Sequence, residues 1–291
     1  MTAGRTGRQG GVPVKYWLIA PAAVLLGVFL LVPYVNILVM SIRTPAVGAP
    51  HGPGYTAGNY VRILTDPYFL GVLYDTVTLA LTTTAVCLVL GYPVAYHLAR
   101  STSRYKSLLY VFVLSPLLVG VVVRSFGWLI LLSNNGVINR TLLDLGLLEH
   151  GLALINNRVG VTIALVHVFL PFMILPLVGN IQSIDPNLES AGRSLGANPL
   201  KVFLRIWLPL SLPGIQAGCI LTFVLSMSAY VTPVMLGGAQ VRTMPVLVVQ
   251  NLIDNFQWPT GAALALVLAA TGMAVVWLYA RLTGRMMRGV Q

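Results

Sequence analysis

Residues Tyr16–Met40 read YWLIAPAAVLLGVFLLVPYVNILVM, a run of 25 residues without a charged side chain. A helix of this length rises about 37 Å, which exceeds the ~30 Å hydrocarbon core of a bilayer. A secretory signal also follows basic residues, but its apolar core has only about 7–15 residues. We therefore predict that this stretch is a retained first transmembrane helix.

Further apolar runs of similar length follow along the chain, each with at most one charged residue. Lipid offers no partner to backbone amides, so helices that satisfy their own hydrogen bonds are the natural spanning structure. The alternating strands of about ten residues that build membrane barrels are absent from the sequence. We predict an all-α, polytopic fold with about six transmembrane helices. The five further runs are Thr76–Ala99, Ser107–Leu132, Val159–Ile181, Ile206–Leu236 and Trp258–Ala280.

The composition excludes an ordinary water-soluble protein. Of 291 residues, 57% are hydrophobic and 9% are charged, whereas soluble domains are about 45–50% apolar and 25% charged. The net charge of +11 is spread in small groups between apolar runs. Such a pattern lacks the dense basic stripe of a nucleic-acid-binding protein, so the expected surroundings are a lipid bilayer and no nucleic acid. Cys87 and Cys219 lie inside apolar runs and are interpreted as packed thiols.

The distribution of Lys and Arg predicts the orientation, since cytoplasmic loops retain positive charge. With the N-terminus inside, twelve Lys and Arg residues fall on the cytoplasmic side and five outside, while Arg124 lies within a span. Both termini are therefore predicted to be cytoplasmic. The chain divides into an N-terminal tail (1–15), a transmembrane domain (16–280) and a C-terminal tail (281–291). The 11-residue apolar run Thr243–Ile253 is predicted to be interfacial or re-entrant.

The longest cytoplasmic loop in this topology joins the fourth and fifth spans, over residues 182–205. Asp185 can cap a helix whose first residue is Pro186, and Gly196 can end it in a left-handed turn. A second short helix is predicted from Pro199. The loop is therefore expected to hold a short amphipathic helix on the cytoplasmic face.

This loop resembles the coupling motif of ATP-binding cassette import permeases: Glu-Ala-Ala, three residues, Gly, nine residues, Ile-x-Leu-Pro. Nine residues separate Gly196 from Ile206, and Leu208 and Pro209 follow in register. The Glu-Ala-Ala triplet falls on Ser190-Ala191-Gly192, so only its middle residue matches, and Glu189 stands one place early. The resemblance implies that contact with an ATPase subunit involves Glu189, Ser190, Ala191, Gly192, Leu195 and Gly196.

Over nearly its whole length the chain is similar to the spermidine/putrescine permease branch of this group. The similarity rests on 30-LLVP-33, 91-GYPVAY-96 and 123-VRSFGW-128, stretches that importers of phosphonates, opines or iron can share. The resemblance implies a multi-pass protein of the bacterial inner membrane that imports a polyamine. It also implies three partners: cytoplasmic ATPase subunits that use ATP and Mg, a second permease, and an external solute-binding protein.

The chain itself is expected to be no enzyme and to bind no cofactor. A phosphate-binding loop needs Gly directly before Lys, whereas Lys15, Lys106 and Lys201 follow Val, Tyr and Leu. No zinc-binding pair or nucleophile elbow of an intramembrane enzyme is present in the sequence.

Five residues are candidates for the translocation path, each with an alternative. If the third span is one continuous helix, Arg124 lies about 27 Å from its start. At this position it either serves the path or outer gate, or extends its side chain to the lipid headgroups. His167 either faces the path or is a buried, hydrogen-bonded residue. Ser226 is a polar path residue or a small packing residue. Trp128 and Tyr230 offer aromatic faces to an organic cation, or anchor the chain at the interface.

The remaining rival is an ion-coupled secondary transporter. Such carriers commonly place ionisable acids at the midplane of the membrane. No Asp or Glu lies within a predicted span, which disfavours this class. The acids predicted to lie outside are Asp66, Asp75, Asp144, Glu149 and Asp254.

Overall fold

The computed structural model describes residues 14–46 and 49–287. Most of the predicted N-terminal tail (1–13) and the end of the predicted C-terminal tail (288–291) lie outside the described residues. The described part is a helical bundle that includes three short π-helical segments, π1–π3. In chain order the elements are α1 Val14–Ser41, α2 Gly58–Thr65, α3 Pro67–Arg100, α4 Lys106–Leu118, α5 Val121–Leu132, α6 Val137–Asp144, α7 Arg158–Gln182, α8 Asn187–Ser194, α9 Pro199–Val202, π1 Phe203–Trp207, α10 Leu208–Leu210, α11 Leu212–Met227, π2 Pro233–Gly237, α12 Met244–Val249, π3 Gln250–Asp254 and α13 Trp258–Met287.

The count of membrane-spanning helices agrees with the prediction. Five helical stretches of the described chain are long and apolar enough to cross a membrane, and a bent pair of helices brings the number to six. The all-α fold is confirmed. The five stretches are Pro21–Ser41, Pro67–Arg100, Val121–Asp144, Arg158–Gln182 and Trp258–Gly284, and the bent pair is Pro199–Leu210 with Leu212–Met227.

The second span is longer than predicted. The helix α3 begins at Pro67, nine residues before the expected start at Thr76, because Asp66 caps it by accepting a hydrogen bond from the amide of Tyr68 (2.9 Å). Asp75 is therefore a helical residue, and its carboxylate lies 3.6 Å from the guanidinium of Arg158. Both side chains are exposed, so this ion pair adds little stability.

Two predicted spans are interrupted, which the sequence analysis missed. The third, Ser107–Leu132, is divided between α4 and α5 by two extended residues, Val119 and Gly120. The fifth, Ile206–Leu236, bends by 63° before α11 and is interrupted again after Met227. Proline explains why the fifth span is irregular. Pro209, Pro213 and Pro233 each lack the amide hydrogen that a continuous helix needs.

The centre of the bundle consists of α3, α7 and α11. A stripe of small residues at four-residue spacing, Gly214, Gly218, Thr222 and Ser226, is buried along α11. A Cβ at Gly218 would lie 3.0 Å from the carbonyl oxygen of Met173 in α7. The absence of side chains at these glycines therefore sets how closely α7 and α11 approach.

Both cysteines lie in this central packing. Cys87 of α3 is fully buried, and its thiol donates to the carbonyl oxygen of Val166 (3.7 Å). Cys219 of α11 is 8% exposed, and both cysteines have free thiols. The apolar run predicted to be interfacial or re-entrant forms α12 and π3, whose first residues are buried against α13 and α3.

Candidate functional site

The helix α8 forms as the sequence predicts. Its start is fixed by Asp185, whose carboxylate accepts a hydrogen bond from the amide of Asn187 (2.9 Å). Glu189 and Arg193 are one turn apart and form an ion pair, with 2.6 Å between Oε1 of Glu189 and Nη2 of Arg193. No residue of α8 is buried within the chain, and six of its eight residues are exposed.

The end of α8 is a two-bond cap around Gly196. The amide of Gly196 donates to the carbonyl of Arg193 (2.9 Å), and the amide of Ala197 donates to that of Gly192 (3.1 Å). Gly196 has φ +78°, as this cap requires of the residue after the helix. The predicted left-handed turn is confirmed, and it fixes the direction of the chain between α8 and α9.

The second predicted helix is also present. Asn198 caps α9 by accepting a hydrogen bond from the amide of Lys201 (2.8 Å), with Pro199 in the first helical position. The π-helix π1 follows directly and ends at Trp207. We call residues 185–207 the coupling segment.

One of the three small residues of the motif is used inside the chain. A Cβ at Gly192 would lie 2.8 Å from Cδ1 of Ile206, so Gly192 lets α8 lie directly on π1. Ser190 and Ala191 are exposed. Gly192 therefore has a role in the chain's own packing, while Ser190 and Ala191 leave their side chains free.

The coupling segment is attached to α3 and α7 through aromatic and basic residues. The guanidinium of Arg100 donates to the carbonyl of Ile184 (2.7 Å) and lies 4.2 Å from the ring centroid of Trp207. Tyr96 packs edge-on against Trp207 (5.2 Å) and donates to Glu189 (3.4 Å). These contacts connect α8 and π1 to the end of α3.

Sequence reasoning singled out Glu189 but missed Arg100 and Trp207. Trp207 occupies the unspecified position of Ile-x-Leu-Pro, and it is 2% exposed. Arg100 is one of the twelve Lys and Arg residues predicted to be cytoplasmic, and its sequence context indicates no further role. Their contact joins residues more than 100 positions apart, so no local pattern announces it.

Replacing Arg100 with methionine is expected to loosen the coupling segment. The change removes the cation–π contact and the charge-assisted hydrogen bond to Ile184, together worth about 1–3 kcal/mol. Local opening should increase by about ten-fold. Limited trypsin digestion of the purified chain measures this as faster cleavage at Arg193, Lys201 and Arg205.

Arg104→Met is the matched control, because Arg104 is exposed and its guanidinium contacts only its neighbour Tyr105. Cleavage at the wild-type rate in Arg100→Met would show that Arg100 does not hold the segment in place.

The outer surface of the coupling segment is apolar with basic neighbours. Leu195 is 89% exposed and Leu200 is 63% exposed, and Lys201 and Arg205 are exposed beside them. The coupling segment thus presents two apolar and two basic side chains outside the chain's own packing. Leu195 at the tip is the more exposed of the two leucines.

A second group of candidate residues lies where the third and fifth spans are interrupted. We call it the break region: Val119–Gly120 and Ser228–Thr232 with Arg124, Ser125, Trp128 and His167. The side chains of Ser125 in α5 and Thr232 directly before π2 are buried and 3.0 Å apart, so a hydrogen bond joins the helical segments that follow the two interruptions. This contact places α5 against π2.

The guanidinium of Arg124 turns back and donates to the carbonyl of Pro116, near the end of α4. In a continuous helix that carbonyl would pair with the amide of Gly120, which the break removes. The position inferred for Arg124 from a continuous helix is therefore corrected, since its charged group lies at the level of the break.

Trp128 and His167 form a pair between α5 and α7. The indole Nε1–H donates to Nδ1 of His167 (3.1 Å), and the rings meet edge to face at 5.4 Å. Because Nδ1 accepts, the neutral ring carries its proton on Nε2. This hydrogen bond ties the segment after the break to the central helix α7.

The other two path candidates lie apart from this pair. Ser226 is 4% exposed within the small-residue stripe of α11. This position agrees with a small packing residue, the second of the two alternatives given for Ser226. Tyr230 is partly exposed in the second interruption. The structure thus brings Arg124, Trp128 and His167 together, and leaves Ser226 in the helix packing.

Comparison with known proteins identifies a family and several relatives that this chain resembles. Residues 87–288 match the family described as binding-protein-dependent transport system inner membrane component. The chain is 31% identical over 263 residues to the spermidine/putrescine transport system permease protein PotB of Haemophilus influenzae, covering 90% of this chain and 92% of that protein. It is 35% identical over 234 residues to the Escherichia coli PotB, covering 79% and 85%.

Among solved structures, the fold is similar to a bacterial ABC transporter involved in the import of the acidic polysaccharide alginate. The TM-score is 0.74 at 17% sequence identity, over 94% of this chain and 95% of that one. At this identity the likeness establishes the fold of the chain.

Proposed function

Because the chain belongs to the family of binding-protein-dependent transport system inner membrane components, and is a multi-pass permease of an ATP-binding cassette importer, we propose that it imports a polyamine. Spermidine and putrescine are the best candidates. The observation that carries the proposal is the 31% identity to a spermidine/putrescine permease over 90% of the chain. Importers of phosphonates, opines or iron are the alternatives within the same family.

The coupling segment is proposed to dock on cytoplasmic ATPase subunits, which bind ATP and Mg. Three features support this role: the exposed face of α8, the rigid cap at Gly196 and the apolar tip at Leu195. The cap keeps α8 and α9 at a fixed angle, so a push on Leu195 moves both helices together. This role places residues 182–205 and both termini in the cytoplasm, in agreement with the distribution of Lys and Arg.

Transport is proposed to follow from movement of the coupling segment relative to the bundle. Tyr96 and Arg100 of α3 contact Glu189 and Trp207 of the segment. The segment directly follows Ile184, whose amide donates to the carbonyl of Ile181 in α7 (3.3 Å). The small-residue stripe joins α11 to α7. Rotation of the segment during ATP hydrolysis therefore turns α3, α7 and α11 as one body and opens the path alternately to the two sides.

A second permease and an external solute-binding protein complete the proposed assembly. Support for the second permease comes from α1, because no residue in the most apolar part of Pro21–Ser41 is buried in this chain. The exposed break between α4 and α5 also needs cover, since lipid satisfies no backbone groups. The binding protein would deliver solute to the end of the bundle that carries α2, α6 and π3.

Purification of the tagged chain from its native membrane in mild detergent tests the assembly. We expect mass spectrometry to recover an ATPase, a second permease and a solute-binding protein with the chain. The recovered binding protein is then titrated with spermidine, putrescine, a phosphonate, an opine and ferric iron. Recovery of the folded chain without an ATPase would contradict the importer, and a binding protein that ignores polyamines would contradict the solute.

A further inference from the structure

The break between α4 and α5 lies on the surface of the chain. Leu118 is 85% exposed, and the two extended residues after it, Val119 and Gly120, are exposed as well. They follow 13 helical residues that begin at Lys106, which places the break roughly 20 Å from that end of the span. Irregular backbone at membrane depth occurs only where protein covers it or where it lines a water-filled cavity. This face of the chain therefore borders another permease or the path between the two.

The end of α4 attracts positive charge. The last carbonyls of a helix lack amide partners and carry a partial negative charge. Here one of them, the carbonyl of Pro116, already binds a cation, the guanidinium of Arg124. The Nε atom of the same guanidinium is buried without a hydrogen-bond partner among the described residues. The guanidinium thus makes a single side-chain hydrogen bond in this position.

The helices around the break contain no acid that could serve instead. No Asp or Glu occurs in α4, α5, α7 or α11. A cationic solute that passes this face meets hydroxyls, aromatic rings and the carbonyl end of α4. Of these, the carbonyl end is the group that binds a cation in the structure.

We propose, on the basis of the polyamine import argued above, that the carbonyl end of α4 is a subsite for an ammonium group of the solute. Arg124 occupies this subsite in the absence of solute. The arriving ammonium displaces the guanidinium and donates a hydrogen bond to the same carbonyl oxygen. Arg124 therefore acts as a tethered competitor that keeps the subsite satisfied between transport events.

The test measures spermidine binding to the complex of this chain with its second permease and ATPase subunits, reconstituted in nanodiscs without binding protein. If Arg124 occupies the subsite about 80% of the time, its removal increases the apparent affinity about five-fold. We expect Arg124→Gln to show this increase and Arg124→Lys, which keeps a cation, to stay near the wild type. Arg140→Gln removes an exposed positive charge from α6 and is the matched control.

Ionic strength separates displacement from general repulsion. Repulsion between separated charges is screened by salt, with a Debye length of about 3 Å at 1 M. We expect the gain of Arg124→Gln to persist in high salt. Equal affinity in Arg124→Gln and wild type, a gain that vanishes in high salt, or an equal gain in Arg140→Gln would overturn the proposal.

A second measurement uses the wild type and does not depend on how the variants fold. Phenylglyoxal modifies free guanidinium groups, and mass spectrometry reads the modified Arg124 peptide. Saturating spermidine should increase modification of Arg124, because displacement frees its guanidinium. Unchanged or reduced modification would overturn the proposal. Failure of the wild-type complex to take up spermidine at all would instead refute the polyamine assignment.

Discussion

Replacing Gly196 with valine is expected to abolish uptake while the chain still inserts and folds in the membrane. Gly196 has φ +78°, and nothing lies within 4 Å of where a Cβ would be, so the cost of a side chain is backbone strain and no clash. Left-handed backbone costs an ordinary residue about 1–2 kcal/mol, and a β-branched residue is rarely found there. The two hydrogen bonds of the cap would break, and α8 and α9 would lose their fixed angle.

The measurement is uptake of radiolabelled spermidine in cells without other polyamine importers, at matched levels of membrane-inserted chain. Gly196→Asn is the control, because asparagine tolerates left-handed backbone, and it should retain most uptake. Intact transport by well-expressed Gly196→Val would refute the role of the cap in coupling. Equal loss in both variants would show that the side chain itself blocks docking.

Replacing Gly218 with leucine should prevent the chain from folding. A Cβ there would lie 2.8 Å from the sulfur and 3.0 Å from the carbonyl oxygen of Met173. The sulfur can move, but the carbonyl belongs to the backbone of α7. Overpacking of a core typically costs about 1–3 kcal/mol, and we expect the upper end here because two central helices must separate.

Fluorescence-detected size-exclusion chromatography of a tagged chain measures the outcome as the monodisperse fraction. Gly179→Leu is the matched control on α7, since nothing lies within 4 Å of a Cβ at Gly179. It should leave the monodisperse fraction near the wild-type value. A well-folded Gly218→Leu variant would show that α7 and α11 are not held at the distance seen in the structure.

The sequence predicted those parts of the structure that depend on local properties. Apolar length defines a span, and a capping aspartate, a proline and a glycine define a short helix. For this reason α8 begins two residues after Asp185 and is followed by the cap at Gly196, as expected. The coupling segment was identified in another way, by the resemblance of the spacing from Gly196 to Pro209 to the motif of import permeases.

The interruptions were missed because hydropathy does not report backbone continuity. Val119 and Gly120 are as apolar as their neighbours, and Pro116 is tolerated within α4. The attachment of the coupling segment was missed for another reason. Arg100 meets Trp207 only after α3 and α7 have packed, so the contact depends on tertiary structure. Arg124 is a local signal, because a charged side chain within a span requires a hydrogen-bond partner.

The two buried cysteines make the wild-type chain a convenient background for spectroscopy. Cys87 and Cys219 are 0% and 8% exposed, so thiol-reactive probes should leave them unmodified in the folded state. A single Leu195→Cys substitution would then carry a nitroxide at the tip of the coupling segment. Its distance from a label on an ATPase subunit would report the movement of the segment through the catalytic cycle.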